Sequence, residues 1–380
     1  MNFDDTPDEA AFREDLRNWL RDNSRALPEH GDPDRPAALL QWHRDLASAG
    51  FMGLSWPAEY GGRGLPSVYE CILNDEVGRV GAPPVPPIGF LGRAIQNFGT
   101  EEQKVRYLPG LLRGEVKWSQ GFSEPNAGSD LAALSTRAVL DGDAYILNGQ
   151  KLWNNSIGAT FMLALVRTDP QAGRHRGISA LIVDLRAPGV EVRPVRQISG
   201  DLDFAEVFFT DARVPTANRV GAEGQGWQLA MSTLAYERGP ADIGHVSKLG
   251  RILSRLEDAW RGGRLRDVPD AGLRLARAHM EVEVLRLKVL QSLSARLADG
   301  AVPGPEGSVD KLLLIRTEQR LVATLLDLTG GTALVQSGDD ILAEYLQSRA
   351  ASIRGGTEQV QRAIVATRLL GLPAAAARPS

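Results

Sequence analysis

The chain has 380 residues, with 43 lysines and arginines against 47 aspartates and glutamates, and a net charge of −4. This balance gives no basic field that would attract nucleic acid or an anionic membrane. The single cysteine, Cys71, excludes an internal disulfide and a thiolate metal cluster. The acidic start, MNFDDTPDEAAF, lacks the pattern of a secretory signal, and no apolar run spans a bilayer, so we expect a cytoplasmic protein of two or three domains.

Helical periodicity predominates in the first third of the chain. Phe12, Leu16 and Leu20 recur at the spacing of one helix face, and the segment 39–47 repeats this pattern. We therefore predict an N-terminal helical domain at 1–116.

After Trp118 the pattern changes to short runs with β-strand character. Two turn dipeptides, Asp141-Gly142 and Asn148-Gly149, are predicted to separate such runs, which continue to about Pro215. The sequence predicts a compact β domain at 117–225.

Longer helical patterns return from Gly226. Four helices are predicted, at about 226–260, 271–300, 308–330 and 341–371. Long helices with short connections favour a bundle, which we place at 226–380. The predicted fold class is therefore α+β and multidomain: an N-terminal α-helical domain, a central β domain of barrel or sandwich type, and a C-terminal four-helix bundle.

Several common catalytic patterns are missing from the sequence. The five histidines show no i, i+4 pair on a helix, so we expect no metal site. No G-x-S-x-G elbow and no phosphate-binding G-x-x-x-x-G-K-[ST] loop occurs. Acid–base chemistry at neutral pH could still come from a carboxylate in an apolar setting.

One polar stretch, GFSEPNAGSD at 121–130, is either an idle surface turn or a loop that binds a charged ligand. With its flanks it resembles the flavin-contacting signature of the acyl-CoA dehydrogenase family. SWPAEYGGRG, NFGTEEQKVRYLPGLLRGE, LNGQKLW, EVFFTDARVP, EGQGW and GGTEQVQRAIVATRLLGLP are similar to further family segments, in the same order. The resemblance covers nearly the whole chain, is weakest over 245–305, and implies the same order of α, β and α domains.

The resemblance implies FAD as the cofactor. Ser123 matches a hydroxyl near the flavin pyrimidine ring, and Ser129 one near the pyrophosphate and the substrate. Trp153 matches a tryptophan beside the flavin, and Asn155 stands where the family usually has Thr or Ser donating to flavin N5, a role that a longer amide can also fill. The implied cofactor contacts are Gln120, Phe122, Ser123, Ser129, Trp153, Asn155, Thr357 and Gln359.

The family's reaction needs a carboxylate that removes the proton α to a thioester carbonyl. Most members carry this glutamate in the C-terminal motif, where this chain has Gly355. Other members carry it on the first helix of the bundle, at the position that Glu237 matches. On the predicted helix, Glu237 interrupts a stripe of small and apolar residues. A solvated or ion-paired glutamate is the alternative for Glu237, and Glu358 is the second candidate base. Arg238 matches an arginine near the CoA portion of the substrate, with a structural ion pair as its alternative.

The implied function is FAD-dependent α,β-dehydrogenation of an acyl-CoA or acyl-carrier thioester in fatty acid or lipid metabolism, with an electron-transfer flavoprotein as acceptor. Two alternatives stay open: a flavin-dependent monooxygenase on the same fold, and a non-catalytic subunit of a heteromeric dehydrogenase. The family's Arg-x-x-Phe-Gly motif is missing, and Asp327 stands where the family often has Gln. We therefore expect altered contacts between subunits, in a homotetramer, a homodimer or a heteromer.

Overall fold

The computed structural model describes residues 4–236, 239–299, 304–330 and 341–373. The chain divides into two compact units. The helical unit comprises the described residues of Met1–Glu29, Pro66–Val85 and Arg238–Ser380, and the sheet unit comprises those of His30–Leu65 and Pro86–Glu237.

The described elements follow the order helices, strands, helices, which confirms the predicted fold class. The helices are α1 Pro7–Asn23, α2 Arg35–Ser48, α3 Val68–Val80, α4 Ile88–Phe98, α5 Glu101–Leu112, α6 Gly226–Tyr236, α7 Pro240–Arg261, α8 Ala271–Asp299, α9 Gly307–Thr329, α10 Ile341–Ala350 and α11 Glu358–Ile364. The strands are β1 Trp118–Gly121, β2 Arg137–Asp141, β3 Ala144–Asn154, β4 Phe161–Arg167, β5 Ile178–Asp184, β6 Val190–Val195, β7 Phe204–Pro215 and β8 Arg219–Val220. Within the described ranges, no helix is long and apolar enough to cross a membrane.

The strands of the sheet unit form one mixed sheet. Its order is β6-β7-β3-β2-β4-β5-β8, and β1 pairs in parallel with β4. Residues at alternate positions of neighbouring strands, such as Leu147, Val183 and Phe209, are buried together in one core. Strands β4 and β5 are buried at consecutive positions as well, so both faces of the sheet are covered there.

Of the two predicted turns in this sheet, the first is confirmed and the second is wrong. Gly142 has φ 61° in the tight turn that joins β2 to β3. At Asn148-Gly149 the chain does not turn, since β3 continues through it with a register shift against β7. Gly149 has φ 149°, and a Cβ there would lie 2.6 Å from Oγ1 of Thr136. The glycine thus allows a bulge and a close approach of the neighbouring chain.

The helical unit is built around contacts of α7, α8, α9 and α10. Its core includes Leu249, Leu285, Leu321 and Ile341, one from each of these helices, and all four are at most 2% exposed. Arg13 on α1 bonds both buried acids of α3, Asp75 at 2.9 Å and Glu76 at 2.8 Å. Hydrophobic burial thus holds the bundle, and a buried ionic network attaches α1 to α3.

Two of the four predicted bundle helices are wrong, because each of them is two helices in the structure. The predicted helix at 226–260 is interrupted between α6, which ends at Tyr236, and α7, which begins at Pro240. Proline disfavours helical backbone in the residue before it, but suits the first position of a new helix. The predicted helix at 341–371 is interrupted between α10 and α11, where Gly355 and Gly356 have φ of 63° and 88°. The helix α10 ends at Ala350, and glycine adopts this left-handed backbone without strain in the turn that leads to α11.

Candidate active site

The segment 121–130, here called the polar loop, begins at the end of β1 and presents most of its polar residues at the surface. Phe122 is buried, Ser123 is half-buried and Ser129 is exposed. A Cβ added to Gly128 would meet no atom of the described residues within 4 Å, so this part of the loop has room beside it. Small residues beside open space let backbone N–H groups approach a ligand closely.

Glu124 and Lys151 form a buried ion pair that attaches the polar loop to the sheet. Nζ of Lys151 lies 2.8 Å from Oε1 of Glu124 and donates to the carbonyl oxygen of Phe122 at 3.1 Å. The Glu124 carboxylate also accepts from the backbone N–H groups of Ser135 and Thr136, at 2.7 and 2.9 Å, and from the Ser135 hydroxyl at 2.9 Å. The pair therefore joins the loop to β3 and to the residues just before β2.

Burial changes the acid–base properties of both partners. Burial alone would raise the pKa of Glu124, but the Lys151 ammonium and the Thr136 and Ser135 donors outweigh it, and the pKa is lowered to about 2. Burial lowers the pKa of Lys151 to about 8, although the Glu124 carboxylate opposes this shift. At neutral pH both groups are charged.

Sequence analysis did not single out this pair, although a signal for it exists. Along β3, Tyr145 and Leu147 occupy buried positions, and Lys151 has the same parity. A lysine at an inward-facing strand position needs a buried partner. Glu124, in the middle of the polar loop, is such a partner.

Trp153, near the end of β3, combines an exposed aromatic side chain with unusual backbone. Its side chain is 59% exposed, and its edge contacts Phe204 with ring centroids 6.2 Å apart. Its φ is 60°, which is uncommon for a residue other than glycine. Such strained positions cluster at functional sites, where the surrounding structure maintains them.

Asn154 is a further candidate that sequence analysis missed. It is 3% exposed, and neither its amide nitrogen nor its amide oxygen has a hydrogen-bond partner within the described part of the chain. A buried amide without partners costs free energy, and each such group calls for an explanation. A bound polar ligand would supply one donor and one acceptor.

The sheet unit brings together the predicted cofactor contacts of its two segments. Gln120, half-buried on β1, leads directly into the polar loop. The N–H of Leu152 donates to the carbonyl oxygen of Ser123 at 3.0 Å, which holds the loop beside the end of β3. Trp153 and the half-buried Asn155 follow immediately. Hydroxyl, amide and aromatic groups thus lie in neighbouring segments.

The other two predicted cofactor contacts lie in the helical unit. Thr357 caps α11, since its hydroxyl accepts from the N–H of Val360 at 3.2 Å, and Gln359 is exposed on the first turn. The fully buried Gln361 donates to the carbonyl oxygens of Gly355 and Gly356 at 3.2 and 3.3 Å. Gln361 therefore holds the turn that positions Thr357, a role that sequence analysis missed.

The candidate acid–base residues differ in how far the structure describes them. Glu358 is half-buried and bonds Arg362 at 2.5 Å, one helical turn later. Gly355 leaves the C-terminal motif without a carboxylate at that position. Glu237 and Arg238 lie outside the described residues, between α6 and α7, and the continuous helix on which their predicted face depended is wrong.

Asp327, expected to disturb contacts between subunits, has a partner within the helical unit. Arg274 donates to its carboxylate at 2.6 Å. The Asp327 carboxylate, which stands where the family often has Gln, is thus paired with the Arg274 guanidinium of the same chain.

Comparisons with known proteins agree over the length of the chain. Profiles of the acyl-CoA dehydrogenase N-terminal, middle and C-terminal domains match residues 6–115, 119–212 and 224–370. The chain is 38% identical over 377 residues to acyl-CoA dehydrogenase IpdE1 of Mycobacterium tuberculosis, covering 95% of this chain and 97% of that protein.

Two solved structures with similar sequences share the fold. The structure named Tcur3481-Tcur3483 steroid ACAD matches with a TM-score of 0.87 and 30% identity, covering 99% of this chain and 100% of that chain. The ChsE4-ChsE5 complex from Mycobacterium tuberculosis matches with a TM-score of 0.83 and 33% identity, again covering 99% and 100%. Both names join two different proteins.

Proposed function

Because the chain belongs to the acyl-CoA dehydrogenase family, we propose that it oxidises the Cα–Cβ bond of an acyl-CoA thioester with FAD as cofactor. It is an acyl-CoA dehydrogenase, an oxidoreductase of lipid metabolism from a flavoprotein family. The observation that carries the cofactor proposal is the polar loop, with Ser123 and Ser129 hydroxyls, held beside the exposed Trp153.

The residues of the sheet unit fit a flavin nucleotide. An exposed indole offers a flat apolar face for stacking, and the small residues around Gly128 leave space for backbone donors to reach phosphate oxygens. The Asn154 amide, which has no hydrogen-bond partner among the described residues, matches a heterocycle that both donates and accepts. We assign cofactor contacts to Gln120, Phe122, Ser123, Ser129, Trp153, Asn155, Thr357 and Gln359.

Glu237 is the proposed base, and it removes the α proton of the acyl group. Two observations support it: Gly355 occupies the position of the usual glutamate, and Glu358 is held by Arg362. Donors on the thioester carbonyl acidify that proton, and Arg238 and Ser129 are proposed to contact the substrate. FAD held by the assigned cofactor contacts would supply the acceptor for the β hydrogen, which leaves as hydride.

The substrate and the partner chain are proposed from the similar solved structures. One of them is named a steroid ACAD, at 30% identity, so we propose a CoA thioester with a polycyclic acyl group. Each of the two similar structures is named for two different proteins, and this favours a heteromer over a homotetramer or homodimer. An electron-transfer flavoprotein is the proposed electron acceptor.

Replacing Glu237 by Gln tests the proposed reaction. The variant keeps the side-chain shape but loses the base, and general base catalysis is worth roughly 10²–10⁴-fold. Anaerobic mixing with acyl-CoA should therefore bleach the flavin of the wild-type protein and not that of E237Q, while both retain bound FAD. The flavin absorbance at saturating acyl-CoA measures this difference.

Glu358→Gln is the matched variant, because it removes the other candidate carboxylate. E358Q should bleach at close to the wild-type rate; loss of bleaching in E358Q but not in E237Q would move the base to Glu358. If no acyl-CoA bleaches the wild-type protein, in any assembly, the dehydrogenase proposal fails. NADH-dependent oxygen consumption with substrate hydroxylation would then favour the monooxygenase alternative. Full activity of an E237Q-containing complex would instead indicate a non-catalytic subunit.

A further inference from the structure

We propose that Lys151 and Glu124 are positioning residues of the cofactor site, whose buried ion pair holds the polar loop in the conformation that binds the cofactor. The identity of that cofactor as FAD rests on the proposed function. The role of the pair is a separate inference, because it follows from contacts within the sheet unit alone.

The contacts of the pair converge on the backbone of the loop. Lys151 donates both to the Glu124 carboxylate and to the carbonyl oxygen of Phe122. Ser123 lies between Phe122 and Glu124 in the sequence. Its own carbonyl oxygen accepts from the N–H of Leu152, the residue after Lys151. Three consecutive loop residues are therefore fixed to two consecutive residues of β3, and Ser123 is the middle one.

Glu124 fixes the loop from its other side. Its carboxylate accepts from the N–H groups of Ser135 and Thr136, just before β2. Its backbone N–H and C=O exchange hydrogen bonds with Ala127 at 3.1 Å each, which closes the turn within the loop. The Glu124 side chain thus ties the beginning of the polar loop to the residues just before β2, while its backbone closes a turn within the loop.

Stability alone does not account for a pair buried this completely. The Lys151 side chain is 0% exposed and that of Glu124 is 4% exposed. Removing two charges from water costs so much free energy that well-packed apolar residues at such positions often stabilise a fold equally well or better. What an ionic pair provides in addition is direction, because its hydrogen bonds fix where the partner groups lie. The Phe122 carbonyl and the N–H groups of Ser135 and Thr136 are those partners.

The test separates loop geometry from overall stability with three variants. K151M leaves Glu124 buried without its cation; the double variant K151M/E124Q removes both charges. D201N is the matched control, because Asp201 is another 3%-exposed carboxylate of the sheet unit, bonded to His30 and to the N–H of Gly31. For each variant, FAD is titrated into the apoprotein, the melting temperature is measured, and amide exchange is followed at Glu124, Ala127 and Leu152.

We expect K151M to raise the Kd for FAD by about tenfold or more and to speed exchange at the three amides, since the loop loses its fixed hydrogen bonds. The double variant should regain much of the melting temperature but not the FAD affinity. D201N should lower the melting temperature with the Kd changed less than about twofold.

Two outcomes would overturn the proposal. In the first, the double variant regains FAD affinity together with its melting temperature. In the second, D201N weakens FAD binding as much as K151M does. If the wild-type apoprotein does not bind FAD at all, the proposed function fails instead. Amide exchange in the apoproteins then still decides whether the pair holds the loop, since unchanged exchange in K151M contradicts it.

Discussion

At the scale of single residues, burial gives several side chains properties that differ from those in water. The Glu124 carboxyl keeps its charge because a buried ammonium and several N–H donors surround it. At Cys71 the effect of burial prevails, and it raises the pKa of the thiol to about 12. The Cys71 thiol is therefore protonated at neutral pH and is a poor nucleophile. The two residues show that the effect of burial depends on the groups present in the surrounding structure.

The Glu124 carboxyl predicts a specific pH dependence of stability. Its pKa is about 2 in the folded chain against an ordinary value of 4.5, so its contribution is fully present above pH 4.5. That contribution is lost as the pH falls toward 2, because the unfolded chain binds the proton first. A shift of this size corresponds to at most roughly 3 kcal/mol.

The measurement compares urea unfolding of the wild-type protein and E124Q between pH 7 and pH 3. The difference in unfolding free energy should be largest at pH 5 to 7 and should shrink toward pH 3. A constant difference across this range would show that the Glu124 carboxyl does not have a lowered pKa in the folded chain.

At the scale of secondary-structure elements, two glycines allow a close contact between α3 and α7 in the helical unit. A Cβ added to Gly78 on α3 would lie 2.3 Å from the carbonyl oxygen of Gly244 on α7, and one added to Gly244 would lie 2.7 Å from the carbonyl oxygen of Asn74. Small residues at such a crossing let the two backbones approach each other. The same helix α3 carries Asp75 and Glu76, which bond Arg13.

Gly78→Ala should therefore destabilise the protein, because the added methyl group forces the two helices apart. Overpacking of this kind costs about 1–3 kcal/mol. Gly250→Ala on α7 is the matched control, because its Cβ would meet no atom within 4 Å in the part of the chain that the structure describes. The gain in helix propensity should stabilise the protein by about 0.5–1 kcal/mol. Thermal unfolding measures both; equal effects of the two substitutions would contradict the close crossing.

At the scale of the whole molecule, each of the two compact units has its own buried core. Predicted cofactor contacts lie in both: the polar loop and the end of β3 in the sheet unit, and Thr357 and Gln359 in the helical unit. The domain limits at 1–116, 117–225 and 226–380 stay a prediction, which limited proteolysis with and without FAD would test.

Binding of FAD to the folded chain should raise its thermal stability by mass action. At a free FAD concentration of 100 times Kd, one site adds about 2.7 kcal/mol. Riboflavin, which lacks the pyrophosphate and adenosine, should give a smaller rise at the same concentration, because it has no phosphate for the polar loop. Equal shifts with FAD and riboflavin would argue against a phosphate contact at Ser129.

Patterns within the sequence determined the element types, and its motifs identified the family. Helical and strand periodicity depend on neighbouring residues, so the order of helices, strands and helices could be predicted and is confirmed. Breaks within helices were harder to predict, since Pro240 and the Gly355-Gly356 turn decide them locally against a continuing apolar pattern. The Asn148-Gly149 dipeptide was predicted as a turn, because the dipeptide does not show that Thr136 lies against it.

The sequence by itself determined which residues surround the polar loop in the chain and which chemistry they bring. Only the tertiary structure decided that Lys151 lies under that loop with its charge paired to Glu124, and that the amide of Asn154 has no described partner. The physical reason is that charge pairing and burial depend on distances in space between residues far apart in the sequence. Residues 124 and 151 are separated by 26 others, yet their charged atoms lie 2.8 Å apart.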